Sequence, residues 1–499
     1  MYEYRNNEAS SAATRTNRVA SAPNAYRTLW RWHFYAGLFV MPFLTVLAVT
    51  GTIYCFQPQI EPLLYPHKMF AEPQDTGRLA PDELLNHARA ALPRDAVALS
   101  LRVSNDPLRS TELVFKFRDG SKQSVFLSPY TGAVLGTLSV ENRFMQVDRM
   151  IHRKLLLGRT GELLMELAAC WTLVMIGTGV AMWWPRENTS ARDALLPRLT
   201  LTGRPFWKNL HAVIGIWLAV GALFFVLTGL PWSGFWGKQF NALATRANVG
   251  TPSGAWGGLP LQSSVPEERG KNGPQEADTE PHGGEHHQEQ TGTSGGRGMV
   301  TSELPLRQTP WAVSNSPVPD SLRSDGKPLA LQRTMDLAAS KGIVDNYDLV
   351  FPTSATGVYT LSSFPGDPKL EHTIYIDQYS GAVIKDIEYQ DYGSVAQAVS
   401  YGTSLHMGRY FGFWNQLLCA LISMGLATMA ITGFIMWWKR RPQRGLGAPV
   451  RDRLPPPLRA WKTGLLLLGA IFPLMGLSML AVWALDRLFF STDQHHTSL

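Results

Sequence analysis

The sequence contains five apolar blocks, each roughly 20 to 25 residues long, and this feature excludes a single soluble fold. A helix of about 20 residues crosses a hydrocarbon core of about 30 Å, because it rises about 1.5 Å per residue. The intervening segments are polar and rich in Gly, Pro and charged residues. We therefore predict a mainly α-helical membrane protein with domains outside the membrane. The blocks lie at 34–56, 163–184, 211–230, 413–438 and 461–485.

The basic residues gather at the ends of the apolar blocks, although the formal net charge is only +7. Segments 1–31, 185–208 and 439–462 each carry more Lys and Arg than Asp and Glu. The positive-inside rule predicts that these three segments are cytoplasmic, and that 57–162 and 231–412 lie on the other side. This distribution indicates a membrane orientation, and the sequence carries no nucleic-acid motif.

Matched motifs predict an internal duplication. Four histidines are each followed by a Thr-Gly pair, at a spacing of 17 residues for one set and 26 for the other. These are His33 with Thr50-Gly51, His211 with Thr228-Gly229, His152 with Thr178-Gly179, and His406 with Thr432-Gly433. The chain is therefore predicted to contain two copies of one unit, namely a helix, an external α+β domain and a second helix, followed by an additional fifth helix.

A second motif supports the same duplication. Tyr130-Thr-Gly-Ala-Val134 recurs as Tyr379-Ser-Gly-Ala-Val383, and each copy lies between two alternating runs typical of strands. We read both tyrosines as turn and packing residues, with electron relay as the alternative. The stretch 251–319 is dominated by Gly, Pro, Ser, Glu and Gln, which predicts a loosely ordered loop. His282, His286 and His287 in that loop are read as part of a solvated tract, with weak metal binding as the alternative.

The predicted organisation fixes a boundary for each segment. A cytoplasmic tail, five transmembrane helices, two external domains, two cytoplasmic loops and an external tail follow one another along the chain. Their ranges are, in order, 1–29 (tail), 30–56 (helix), 57–162 (first external domain), 163–184 (helix), 185–208 (loop), 209–230 (helix), 231–412 (second external domain, with the 251–319 loop), 413–438 (helix), 439–460 (loop), 461–485 (helix) and 486–499 (external tail).

Of twelve histidines, four lie in or beside the apolar blocks: His33, His152, His211 and His406. The direction of the predicted helices puts His33 and His211 at the cytoplasmic depth and the other two at the outer depth. A single histidine at a membrane boundary is often an interfacial side chain. A fourfold repetition instead favours a metal or a proton path, because an imidazole facing hydrocarbon is costly.

Haem iron fits these histidines better than zinc does. Zinc prefers four ligands, and no Cys, Asp or Glu accompanies the histidines to complete such a shell. Two imidazoles from facing helices can bind one haem axially, and Gly37 and Gly215, one turn away, leave room for a flat macrocycle. Ordinary close helix packing is the alternative reading of these glycines. We predict two b-type haems, one held by His33 and His211 and the other by His152 and His406.

These motifs together resemble the PepSY-associated transmembrane family. The resemblance rests on Trp32-His33-Phe-Tyr-Ala-Gly37, on His152-Arg-Lys-Leu-Leu-Leu-Gly158, on the Trp-Trp exits at 183–184 and 437–438, and on the Tyr-x-Gly-Ala-Val turns. It covers about residues 30–440, apart from the low-complexity loop. It implies a bacterial inner-membrane protein with PepSY-like periplasmic domains, of a kind similar to ferric-siderophore reductases that carry haem.

The resemblance implies a function as well. Electrons from a cytoplasmic or quinol donor would cross the membrane to a periplasmic ferric siderophore or other ferric chelate, and iron would leave as Fe(II). Two alternatives remain: a non-redox PepSY protein that binds or regulates a peptidase, and a metal or proton permease that uses the four histidines as a relay. A permease would require polar residues at mid-membrane, where the blocks offer mainly Thr, Ser, Cys and Met.

Overall fold

The computed structural model describes residues 25–184, 190–252, 299–322, 326–443 and 458–490. The predicted N-terminal tail up to residue 24, the three loop histidines and the tail from residue 491 lie outside these ranges. The chain divides into two units. The helical unit comprises Met1–Leu64, Asn142–Leu243 and Tyr401–Leu499, and the sheet unit comprises Tyr65–Glu141 and Ala244–Ser400.

Four long apolar helices form the helical unit. They are α1 (Ala25–Cys55), α6 (Gly158–Trp183), α8 (Gly203–Gly229) and α12 (Phe413–Arg440). Each is long and apolar enough to cross a membrane, as the first four apolar blocks predict. Helix α1 packs against α6 and α12, and α8 packs against the same two helices, which gives a four-helix bundle.

Both units also contain shorter helices. Those before the first sheet segment are α2 (Gln57–Leu64), α3 (Pro66–Met69) and α4 (Pro81–Ala90), and those before and after α6 are α5 (Phe144–Lys154) and α7 (Ala191–Leu195). Further along the chain are α9 (Trp236–Arg246), α10 (Leu331–Ser340) and α11 (Ser394–His406). The helical unit includes α5, and the boundary between the two units before this helix falls at 141.

The fifth apolar block differs from its prediction. It forms two helices, α13 (Arg459–Ile471) and α14 (Pro473–Phe490), and among the described residues only four helices qualify as membrane spans. The break falls at Phe472 because Pro473 has no N–H to donate and its ring clashes with the preceding turn. The two helices approach closely where Gly469 and Gly476 meet, since any side chain at either position would collide with the other.

The sheet unit contains one eight-stranded antiparallel sheet with the strand order β4-β3-β2-β1-β5-β6-β7-β8. The sequence predicts two external domains, but the structure joins both segments through the pairing of β1 with β5. This pairing satisfies backbone groups that two separate four-stranded sheets would leave at open edges. The strands are β1 (Val97–Val103), β2 (Thr111–Lys116), β3 (Lys122–Leu127), β4 (Val134–Ser139), β5 (Tyr347–Val350), β6 (Val358–Ser363), β7 (His372–Asp377) and β8 (Val383–Glu388).

Helices α4 and α10 pack over one face of this sheet, and the core lies beneath them. Leu113, Phe115 and Leu349 are fully buried there. The Asp82 carboxylate of α4 accepts hydrogen bonds from the first two backbone N–H groups of α10, at 2.9 and 3.1 Å. A negative charge at a helix N-terminus is favourable, so this contact ties the two helices together.

The described end of the predicted loop is ordered. Residues 299–319 pack into the sheet unit, where Trp311 is only 3% exposed and the Thr301 hydroxyl lies 2.5 Å from the Tyr375 hydroxyl. The composition that predicts loose order therefore does not hold for the last part of 251–319. There, Trp311, Ala312 and Val313 supply apolar side chains that are buried. Burial raises the pKa of Tyr375 to about 12, so this hydroxyl stays protonated.

Candidate functional site

Each of the four predicted site histidines forms a hydrogen bond with a threonine from a different helix. In every case the threonine belongs to one of the repeated Thr-Gly pairs. The Nδ1 to Oγ1 distances are 2.9 Å for His33 and Thr178, 2.8 Å for His211 and Thr432, 2.9 Å for His152 and Thr50, and 2.8 Å for His406 and Thr228. The Thr-Gly pairs that mark the sequence repeat are therefore the hydrogen-bonding partners of the histidines.

These threonines fix the tautomer of each imidazole. A threonine hydroxyl has one proton, and each of the four already donates to a backbone carbonyl on its own helix. The acceptors are Val46, Val174, Phe224 and Met429, at 2.6, 2.6, 2.7 and 3.1 Å respectively. The hydroxyl oxygen must then accept from Nδ1–H. Each imidazole consequently keeps the lone pair on Nε2, the form that ligates a metal.

The glycine of each pair lets an imidazole lie against a helix backbone. A side-chain carbon added at Gly179 would lie 3.3 Å from Cε1 of His33, and one added at Gly51 would lie 3.3 Å from Cε1 of His152. The corresponding distances are 3.6 Å at Gly229, beside His406, and at Gly433, beside His211. The two glycines with the shorter distance leave no room for a methyl group unless the ring moves.

His33 and His211 meet at one end of the bundle. Both lie in the first half of their helices, and their threonine partners lie near the ends of α6 and α12. The ring centroids of the two histidines are 6.3 Å apart, with an interplanar angle of 87°. Two imidazoles that ligate one metal from opposite sides, each through a bond of about 2 Å, have their ring centroids at about this separation. The pair has the separation that a shared haem iron requires.

His152 and His406 lie at the opposite end, on the short helices α5 and α11 and not on the four long helices. Burial lowers the pKa of His152 to about 3, with a further contribution from the nearby His406 and Arg153. Burial also lowers the pKa of His406 to about 4. Both imidazoles are therefore neutral at physiological pH, as metal ligation requires.

The donor set is imidazole alone at both ends of the bundle. Within the described ranges, three or more His, Cys, Asp or Glu side chains converge closely enough to hold a metal ion in one group, and it lies in the sheet unit. The three cysteines, Cys55, Cys170 and Cys419, are free and buried. Two neutral imidazoles without a carboxylate or thiolate suit the axial positions of haem iron better than a tetrahedral zinc site.

Gly37 and Gly215 each lie close to a neighbouring helix. A side-chain carbon at Gly37 would lie 3.8 Å from the ε-methyl group of Met175, and one at Gly215 would lie 3.0 Å from that of Met429. Each glycine therefore faces a methionine of the neighbouring helix. This is the close helix packing that the sequence left open as the alternative.

The threonines are the site residues that sequence reasoning missed. Their fixed spacing from the histidines was visible, but it identified only a repeat, because the histidine and the threonine that contact each other belong to different motif pairs. His33, for example, precedes Thr50 in the sequence and contacts Thr178 in the structure. Helix packing decides this pairing.

Residues 30–440 match the family model described as "PepSY-associated TM region". The match spans the four long helices and the sheet unit, and it ends before the broken fifth block. No curated protein matches the chain.

Proposed function

Because the chain belongs to the PepSY-associated TM family, we propose that it is a haem-dependent oxidoreductase of the bacterial inner membrane. In this proposal it passes electrons outward to a ferric siderophore or another ferric chelate in the periplasm. The observation that carries the proposal is the fourfold unit of histidine, threonine and glycine, arranged as two pairs at opposite ends of a four-helix bundle.

His33 and His211 would hold one b-type haem, and His152 and His406 would hold the other. Each haem iron supplies one-electron redox chemistry, so two haems at two depths provide a route for electrons across the membrane. The threonines orient the imidazoles and keep Nε2 free to bind iron. Such hydrogen-bonding partners of metal ligands typically affect metal affinity about 10- to 100-fold.

The direction of electron transfer follows from the charge of the loops. By the positive-inside rule, the basic segments 185–208 and 439–460 support a cytoplasmic location for the His33 and His211 end, where a cytoplasmic or quinol donor would supply electrons. The sheet unit and the His152 and His406 end would then face the periplasm. There, one electron reduces each ferric ion to ferrous iron, which a chelator selective for the ferric ion holds weakly.

Stopped-flow mixing of the dithionite-reduced protein with ferric siderophores, without oxygen, tests the proposal. We expect the haems to be reoxidised, with one Fe(II) trapped by a chromogenic chelator for each electron lost. His406→Ala should abolish reoxidation while the haem held by His33 and His211 remains reducible. Failure of every ferric chelate to reoxidise the protein, together with tight binding of a peptidase to the sheet unit, would favour the regulatory alternative.

A further inference from the structure

We propose that the sheet unit carries a divalent-cation site formed by His372, Asp386 and Glu388, and that it takes Fe(II) or a chemically similar first-row ion. The assignment of Fe(II) as the ion received rests on the function proposed above. The metal site itself rests on the geometry of two adjacent strands.

The three side chains converge on one face of the sheet. His372 on β7 is the direct cross-strand partner of Glu388 on β8, and Asp386 lies two residues before Glu388, on the same face. Nε2 of His372 lies 2.6 Å from Oδ1 of Asp386 and 4.0 Å from Oε1 of Glu388. All three potential ligand atoms lie within 4.8 Å of one another.

These separations suit a metal ion after small side-chain movements. A divalent ion with bonds of about 2.0–2.2 Å to nitrogen and oxygen holds neighbouring ligand atoms roughly 3 Å apart. One imidazole with two carboxylates is a mixed nitrogen and oxygen set, which suits first-row divalent ions such as Fe(II), Mn(II) and Zn(II). The side chains are 11%, 29% and 47% exposed for His372, Asp386 and Glu388, so an ion can enter from solvent.

The matched positions in the other half of the sheet carry different side chains on the same strand pairing. His372, Asp386 and Glu388 lie 7 residues before, 7 after and 9 after Tyr379; the same offsets from Tyr130 give Gln123, Thr137 and Ser139. Gln123 and Ser139 are cross-strand partners, as His372 and Glu388 are. One half of the sheet therefore has three metal-binding side chains where the other half has none that binds metals well.

Lys341 gives the proposal a sharp test. Its Nζ lies 3.2 Å from Oδ2 of Asp386, just beyond the end of α10. This lysine would stabilise an ordinary ion-pair network, whereas a metal ion would compete with the lysine ammonium group for the Asp386 carboxylate. The two explanations predict different results for the Lys341→Met variant. If the three side chains form a metal site, the variant binds the metal ion more tightly than the wild type. If they form only an ion-pair network, the variant binds no metal ion.

The experiment is anaerobic equilibrium dialysis of the full-length protein against Fe(II), and separately against Mn(II) and Zn(II). We expect one bound ion per chain in addition to haem iron. His372→Gln and Glu388→Gln should each weaken binding by roughly tenfold or more, and Lys341→Met should strengthen it. Glu83→Gln removes the same charge as Glu388→Gln from an exposed position on α4, so it serves as the matched control and should have no effect.

The haem spectrum of the same samples separates this inference from the function on which it draws. Metal binding by a protein without haem would support the site and contradict the proposed function. A haem-loaded protein that binds no extra ion, either as the wild type or as Lys341→Met, would overturn the site. Equal metal affinity in the wild type, His372→Gln and Glu388→Gln would overturn it too.

Discussion

Nδ1 of His33 on α1 donates a hydrogen bond to Oγ1 of Thr178 on α6, over 2.9 Å. The same contact occurs four times with different residues, and in each case the hydroxyl proton is already donated to the helix backbone. The free nitrogen of every imidazole is therefore Nε2. A chain that only buried four histidines would not need the same tautomer at all four positions.

Thr178→Val should impair haem binding at the His33 and His211 site. The variant keeps the side-chain shape but removes the acceptor for Nδ1–H, so we expect roughly 10- to 100-fold weaker retention of that haem. Haem content and the reduction potential after purification measure the effect. Thr172→Val is the matched control, because Thr172 lies on the same helix and donates to the carbonyl of Ala168 at 2.8 Å. Equal effects of the two variants would contradict the role assigned to Thr178.

Substitution of single histidines should reveal the pairing. His33→Ala and His211→Ala should each remove the same haem and leave the other, because the two ring centroids lie 6.3 Å apart and a single imidazole holds haem poorly. His152→Ala and His406→Ala should form the second pair. Haem-to-protein stoichiometry and spectra at low temperature distinguish the two haems. Loss of one common haem in His33→Ala and His152→Ala would show that the pairing is wrong.

Glycine substitutions should differ according to the distances they create. Gly179→Ala places a methyl group 3.3 Å from Cε1 of His33 and must displace the ring, whereas Gly433→Ala leaves 3.6 Å to His211, an ordinary contact. We expect Gly179→Ala to shift the electron paramagnetic resonance signal of the haem, which reports the orientation of the axial imidazoles, and Gly433→Ala to leave it nearly unchanged. The reverse order of effects would count against the close contact.

Asp377 should make the stability of the sheet unit depend on pH in the acidic range. Its side chain is fully buried, and burial alone would raise its pKa. The carboxylate, however, accepts hydrogen bonds from the hydroxyls of Ser321 and Ser380 and from backbone N–H groups, including that of Tyr379. These hydrogen bonds outweigh burial and hold the pKa of Asp377 well below its usual range. The stabilisation is therefore present above the unfolded pKa of about 3.9 and is lost as pH falls below it.

The Asp377→Asn variant tests this acid dependence. It should lower the free energy of unfolding by about 1–3 kcal/mol at pH 7, because several donors lose a charged acceptor. The difference from the wild type should shrink as the pH drops below about 4. Pulse proteolysis of the sheet unit at several pH values measures both quantities. A difference that stays constant from pH 7 to pH 3 would show that the charge of Asp377 is not what stabilises the turn.

The sequence predicts the membrane-spanning helices well, because hydrophobicity and length are local properties. The pairing of β1 with β5 could not be predicted, since it joins residues almost 250 positions apart with no local signal. The fifth block shows the opposite case: the length of the apolar run favoured a single span, whereas the structure divides the run into two helices on either side of Phe472.

The candidate site, too, could be predicted only in part from the sequence. The four histidines and their depths follow from the sequence, because helix direction and spacing fix them. The contacts of each imidazole depend on which helices are neighbours, so Thr178 as the partner of His33 emerges only from the structure. The cluster of His372 with Asp386 and Glu388 likewise depends on strand register, which a one-residue shift would abolish.

The haem content of the protein purified from haem-replete cells tests the proposed pair of haem sites most directly. The pyridine haemochrome spectrum and the protein concentration together give the number and type of haems per chain. We expect two b-type haems, both low-spin and six-coordinate, that extract into acidified organic solvent because the chain has no CxxCH attachment motif. A colourless protein that nevertheless retains its fold would contradict this expectation.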